Sequence, residues 1–477
     1  MSIAEHPQSD SAAVRLTVPP DAAALDALRA RVHGPVYRSG DEGAAAEAAC
    51  WNVAVTHRPA VVVGATCAAD VAAAVAWAVE HDLPVAAHAT GHGPVHAAVG
   101  GLLISTRRMQ GVAVDPVRRV ARVQAGSKWA AVLAATEEHR LVPLVGSSSD
   151  VGVVGYTLGG GVGPFARRYG FAADSVVAVD LVTADGELRR LTADEEPELF
   201  WAVRGSRSNL GVVTALEIQL FPADEIHAGC VFFAGADAAT VLHTYRQWAP
   251  ALPEEVTTSA SVLRLPPLET LPEPLRGQLV VQVTFAATGL APERCAELLA
   301  PMQAAGRILL GHVGRMLPTE LDAVHMDPVD PMPTWERGVL LRELTAGTVD
   351  ALLAAAGPGV DVPLVSVQLR QLGGALARQP RVPSAVAGRD GAWGLMVIAP
   401  GVPELADVVP VVVRGVLGAA EPWRAPGGLL NFLGAVDGPD DVVAAFPAEV
   451  AQRLVAVKRR VDPRGVFTAG HALTARS

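Results

Sequence analysis

Between Arg58 and Pro222, short apolar runs alternate with stretches of helical period. The valines of Pro59 to Gly64 predict a strand, and Val71, Val75 and Val79, four residues apart between Cys67 and His81, predict a helix. Pro84 to Ala89 returns to extended chain, which completes a β-α-β unit. Two hairpins follow: Val112 to Val123 around Asp115-Pro116, and Val176 to Leu191 around Asp185-Gly186, a two-residue turn signal. A helix over Glu195 to Val203 leads into a strand from Gly211 to Leu220, and Phe221-Pro222 marks a boundary.

Beyond that proline the elements lengthen. Strands are expected over Thr257 to Leu265, Leu279 to Ala287, Leu364 to Leu372 and Leu395 to Pro400, with helices over Ala238 to Leu252, Pro292 to Ala305 and Thr348 to Ala356. This is the pattern of an α+β unit with helices on one face of a sheet. Leu429 to Leu433 reads as a further short strand and Phe446 to Val461 as a closing helix, with Lys458-Arg-Arg460 as its solvated end. Residues 1–14 read as a disordered tail.

A chain of 477 residues exceeds what one core usually serves, so two domains are expected. Half of the residues are hydrophobic and 18% are charged, which requires a large interior. The net charge of −11 argues against nucleic acid or anionic lipid as a partner. The best membrane candidate, Val408 to Ala420, is too short and is interrupted by Pro410 and Arg414. The first residues lack a basic patch and an apolar run, and the four cysteines form no C-x-x-C pair. A cytoplasmic protein with neither a metal site nor a disulfide framework is therefore expected.

Candidate chemistry concentrates in two glycine-rich loops. One is Ala89-Thr90-Gly91-His92-Gly93; the other spans Pro143 to Gly163 and includes Gly146, Gly155, Gly160 and Gly161. The second does not satisfy G-x-G-x-x-G, because Pro164 takes the last glycine position. Converging, the two loops would offer backbone N–H groups to a pyrophosphate. The alternative is that the glycines serve only turns and bulges, and that His92 is an ordinary loop histidine.

The ordered motifs resemble the vanillyl-alcohol-oxidase superfamily, in its berberine-bridge-enzyme-like branch with a PCMH-type FAD-binding domain. The T-G-H-G loop at His92, Val151 to Gly161, Leu199 to Thr214, and Leu454 to Phe467 carry the resemblance nearly end to end. It implies an FAD domain in two parts, 15–222 and 427–477, with a substrate domain of antiparallel sheet and covering helices over 223–426. FAD would be bound covalently through His92 alone, because Ser148 occupies the position of the cysteine that attaches the flavin a second time in many relatives.

Further flavin contacts are carried over to Ser147, Asp150, Val151, Val213 and Asn431. Val151 falls where the family controls access of dioxygen, although a valine there also suits a core. Gln368 and Arg370 share one face of a strand by period-2 alternation and are carried over as substrate contacts, with a solvated sheet face as the other reading. Tyr156 is a catalytic candidate that would stack on or hydrogen-bond to the flavin, or simply pack. The family's C-terminal tyrosine is Leu429 here, which leaves the base unassigned. The resemblance implies an oxidase passing a hydride from a small molecule to flavin and electrons to dioxygen, in a monomer or homodimer. A dehydrogenase or oxidative cyclase with another acceptor, or a ligand-sequestering flavoprotein, are the competing expectations.

Overall fold

The structure is a computed structural model that describes residues 20–93, 96–223 and 225–473. The tail expected over 1–14 lies outside the described residues. Near the N-terminus, strands Val36–Arg38, Val61–Gly64, Leu102–Ser105 and Val85–His88 form a four-stranded sheet in that order. Leu102–Ser105 runs parallel to both of its neighbours, so it separates the two strands that the β-α-β pattern placed side by side. Helix Ala68–Glu80 buries Val71, Ala74, Val75, Trp77 and Ala78 against this layer. At the head of that helix Asp70 is fully buried and accepts from the N–H groups of His33 (2.8 Å), Thr66 (2.9 Å) and Gly34 (3.2 Å) and from Thr66 Oγ1 (2.7 Å).

A second, five-stranded antiparallel sheet contains both expected hairpins, with Val212–Gln219 between them. The glycine-dense stretch carries a short helix, Val153–Leu158, which packs near the central strand Val212–Gln219 of this layer.

The third sheet has seven antiparallel strands, in the order Ile308–Arg315, Ile226–Ala234, Leu279–Thr288, Val256–Arg264, Ser366–Gln371, Trp393–Pro400 and Thr334–Leu341. One face packs on helices Ala238–Trp248, Pro292–Gln303, Ala346–Ala356 and Val409–Ala419 through residues such as Ala260, Val262, Val367, Leu369, Leu395 and Val397. Val409–Ala419 is the apolar stretch weighed above as a membrane span; no helix among the described residues is long and apolar enough to cross a membrane. The intervening residues Ser259, Ser261, Gln368, Arg370, Met396 and Glu336 take the other face, which looks towards the glycine loops.

Three of these strands are missing from the sequence expectations. Ile226–Ala234 is buried at every position, so it shows no alternation to read. Ile308–Arg315 and Thr334–Leu341 are edge strands with mixed exposure. Leu429 to Leu433 forms a turn instead of a strand, with Phe432 N–H returning to the Leu429 carbonyl at 2.8 Å. Lys458 is not solvated: it is buried, donating to Asp462 Oδ2 (2.6 Å) and to the carbonyls of Asn209 (2.6 Å) and Phe467 (2.7 Å).

Burial alone pushes the Asp70 carboxyl up, but the donors from His33 and Thr66 outweigh it and hold the group well below the ordinary carboxylate range. Its contribution to stability is therefore present at neutral pH and is lost as pH falls through the depressed value. Asp70→Asn is expected to remove about 2–3 kcal/mol, by setting an amide N–H₂ against these donors, and to weaken the acid dependence of unfolding. An unchanged denaturation midpoint at pH 7 contradicts this account.

Candidate active site

The His92 loop is held from beneath. Trp51 N–H donates to the Thr90 carbonyl and Asn52 N–H to that of Gly91, both at 3.0 Å. Gly91 has φ +69°, and a Cβ there would lie 2.6 Å from Cys50 Cα, so both conformation and space require glycine. Trp51 stacks on the His92 ring, with centroids 4.5 Å apart and planes 17° from parallel. Burial lowers the His92 pKa, opposed by Asp150, whose Oδ2 is 3.4 Å from His92 Nε2. That nitrogen is closed to solvent and lacks a well-formed hydrogen bond. Asp150 is also ion-paired with Lys128.

The two glycine loops do meet. A Cβ on Gly152 would lie 3.3 Å from Thr90 Oγ1, and the nearby Ala89 methyl completes this contact. Ser148 is buried and its Oγ accepts from Asp150 N–H at 3.2 Å. Val151 is half-buried against the core and Val213 is buried. Ser149 ties the loop to the seven-stranded unit, donating from N to Asp322 Oδ1 (2.6 Å) and from Oγ to Oδ2 (2.5 Å). Ser147 bonds to Asp327, an exposed residue.

Tyr156 is placed by packing. Its ring abuts Gly146 and Gly161, sits edge-on to Trp129, and its hydroxyl donates to the Val145 carbonyl at 3.2 Å. Burial pushes its pKa up, which keeps the phenol neutral. Gly160 faces Phe171, whereas Gly155 faces open space. Gly93 is exposed beside the Arg207 guanidinium.

On the opposing sheet, Arg370 donates to Gln368 Oε1 (2.9 Å) and to the Val162 carbonyl (3.0 Å), and lies over the Phe432 ring. Gln368 donates to Ser261 Oγ at 3.2 Å. Asn431 spans the gap: its Nδ2 donates to the Tyr156 carbonyl (2.8 Å) and its Oδ1 accepts from Arg207 Nη2 (2.8 Å).

Sequence reasoning passed over Trp51, Lys128, Arg207 and Glu336. Arg207 has φ +55°, a strained conformation for arginine, and also reaches His471 Nδ1 (3.3 Å) and the Gly93 carbonyl (3.5 Å). His471 Nε2 donates to the Gly434 carbonyl at 2.9 Å, which leaves Nδ1 as the acceptor. Burial lowers the Arg207 pKa to about 10, opposed by Glu336; burial raises Glu336 to about 7, opposed by Arg207. These two line a cavity of about 380 Å³ with His92, Asn52, Asn431 and His471. A largely apolar cavity with a few converging polar groups and a perturbed carboxyl is the expected form of a reaction site.

Two clusters gather groups able to bind metal: Cys50, His57 and His88, and His33, Cys67 and Asp70. Each is engaged in holding the chain. His57 Nδ1 accepts from Ala98 N–H (2.9 Å), His88 Nε2 lies 2.8 Å from the Glu47 carbonyl, and Asp70 is saturated as described.

Residues 59–192 match the FAD binding domain family. The chain is 34% identical over 192 residues to (R)-6-hydroxynicotine oxidase of Paenarthrobacter nicotinovorans, a match spanning 40% of this chain and 42% of that protein. It thus aligns with less than half of that relative's length. Among solved structures, BBE-like 1 of Physcomitrella patens superposes with a TM-score of 0.81 at 17% identity, over 95% of this chain and all of the other. Glucooligosaccharide oxidase from Acremonium strictum, whose FAD is 6-S-cysteinyl and 8α-N1-histidyl, superposes with a TM-score of 0.81 at 18% identity over 95% of this chain. Residues 59–192 are therefore an FAD-binding domain. The fold of the described chain is that of the solved BBE-like structure, and residues 59–192 are similar to the FAD binding domain family.

The site accommodates such a cofactor: Gly155 leaves space at the second loop, and His92 lines the cavity with an imidazole whose ring nitrogens are not tied up in well-formed bonds. Gly91→Ala is expected to cost about 1–3 kcal/mol and to lower the ratio of flavin to protein. A wild-type ratio with an unshifted melting temperature contradicts the role given to this glycine.

Proposed function

We propose that this chain is an FAD-dependent oxidase that removes a hydride from a small-molecule substrate and passes the electrons to dioxygen as hydrogen peroxide. The observation that carries the reading is the cavity shared by His92, Arg207, Asn431 and Glu336, set against an FAD-binding domain. FAD, when bound, supplies the two-electron chemistry, and the protein supplies orientation and proton handling. His92 is the single covalent anchor, since Ser148 has no thiol to offer.

Glu336 is the proton acceptor. It takes the O–H or N–H proton that a substrate releases as its C–H bond is broken. Arg207 faces it as a donor to the substrate heteroatom, and Asn431 and His471 hold that guanidinium in place. Gln368 and Arg370, on the same sheet face as Glu336 but outside the lining of that cavity, brace the sheet against the glycine loop, and Val151 stands beside the path for dioxygen. Tyr156 positions the glycine loop through its ring.

Acid precipitation tests the anchor: the wild-type pellet is expected to be yellow and that of His92→Ala colourless, with a colourless wild-type pellet refuting the tether. Stoichiometric peroxide under air tests the acceptor, and slow aerobic reoxidation of reduced flavin points instead to a dehydrogenase or cyclase. Glu336 acts as a base only when ionised, so kcat/KM should rise with pH through about 7, where burial places this carboxyl. Glu336→Gln should abolish that limb and lower the rate by roughly 10²-fold or more. A pH profile identical to the wild type removes Glu336 from this role.

A further inference from the structure

We infer that Asp150 is the positioning residue for attachment of FAD to His92: it engages the imidazole at Nε2, leaves Nδ1 as the nucleophile, and accepts the ring proton as the bond forms. The inference rests on the reading that His92 is the anchor.

The geometry around the ring leaves few alternatives. His92 Nε2 is shut away from solvent, 3.4 Å from Asp150 Oδ2. The imidazole lies flat against Trp51, itself fixed by a 2.8 Å bond from Nε1 to the Val329 carbonyl. Asp150 is anchored through its own N–H to Ser148 Oγ and, through Ser149, to Asp322. Lys128 pairs with the other carboxylate oxygen, Oδ1, so the carboxylate is bracketed by the ammonium and the imidazole. It is one of only two lysines in the chain.

A neutral histidine whose Nε2–H is turned to a carboxylate carries its free lone pair on Nδ1. The long 3.4 Å separation is of the kind that shortens when the reacting partner is bound. In the attachment, Nδ1 bonds to the methyl carbon on the benzenoid ring of the flavin as one C–H bond of that methyl breaks. The electron pair goes to the flavin ring. Forming the N–C bond makes the imidazole cationic, and the Nε2 proton passes to Asp150, which restores neutrality. The methyl proton passes through solvent to the reduced flavin while the Nε2 proton rests on Asp150, and dioxygen then takes up two electrons and these two protons as hydrogen peroxide.

The test uses the full-length wild type, Asp150→Asn, Asp150→Glu and Lys128→Met, each incubated with added FAD. Acid-stable flavin fluorescence gives the rate of attachment, total FAD gives binding, and the isomer of the histidyl-flavin is identified on the isolated peptide. The wild type is expected to be linked through Nδ1. Asp150→Asn is expected to bind FAD yet attach it about a hundredfold more slowly and with mixed isomers, and Asp150→Glu to recover much of the rate. Lys128→Met is expected to be slowed but to keep the Nδ1 isomer. Linkage of the wild type through Nε2 overturns the inference without recourse to any variant. So does attachment by Asp150→Asn at the wild-type rate. A wild type without acid-stable flavin removes the tether itself, and this inference with it.

Discussion

The arrangement of the cleft depends on one buried cation. Arg167, on the short helix Ala166–Tyr169 that follows the glycine loop, donates to the carbonyls of Val256 (2.6 Å), Pro253 (3.1 Å), Leu252 (3.3 Å) and Leu372 (3.1 Å). Burial lowers its pKa, and the nearby Tyr245, Glu254 and Glu255 oppose the shift. A guanidinium taken from water requires its donors to be satisfied, and here backbone carbonyls from two strand ends do so. Arg370 repeats the device in reverse, from the sheet to the Val162 carbonyl of the loop. The spacing between glycine loop and sheet is thus set by directional bonds, which resist the collapse that an apolar interface would permit.

The parts of the fold that were legible in the sequence are those with a strong local signal. The Asp185-Gly186 turn, the valine spacing in Ala68–Glu80 and the alternation of Gln368 and Arg370 each follow from a short-range rule. The strand Ile226–Ala234 escaped because burial on both faces erases its period, and Leu429 to Leu433 misled because an apolar run carries no information about direction. Lys458 escaped for a different reason. Its partners Asn209 and Phe467 come from separate segments, and no local pattern announces a buried lysine.

The same distinction separates the parts of the site. His92 and the glycine loops stand out because glycine density is visible along the chain. Glu336 does not, since its character comes from a cavity assembled by residues from Asn52 to His471. Tyr156 shows the converse: a conspicuous residue in a conspicuous loop, whose ring fills the space between glycines. A hydroxyl bonded to the Val145 carbonyl stiffens that loop from within.

Arg207 places stability and chemistry in opposition. Its left-handed backbone is one that glycine adopts freely, so Arg207→Gly would relieve backbone strain. The side chain lost in that exchange joins Asn431, His471 and the Gly93 carbonyl, which come from three separate segments of the chain. A backbone relaxed in this way would leave the cavity wall without its common fastening. The strain held in one residue's backbone is thus the cost of placing the group that organises the pocket.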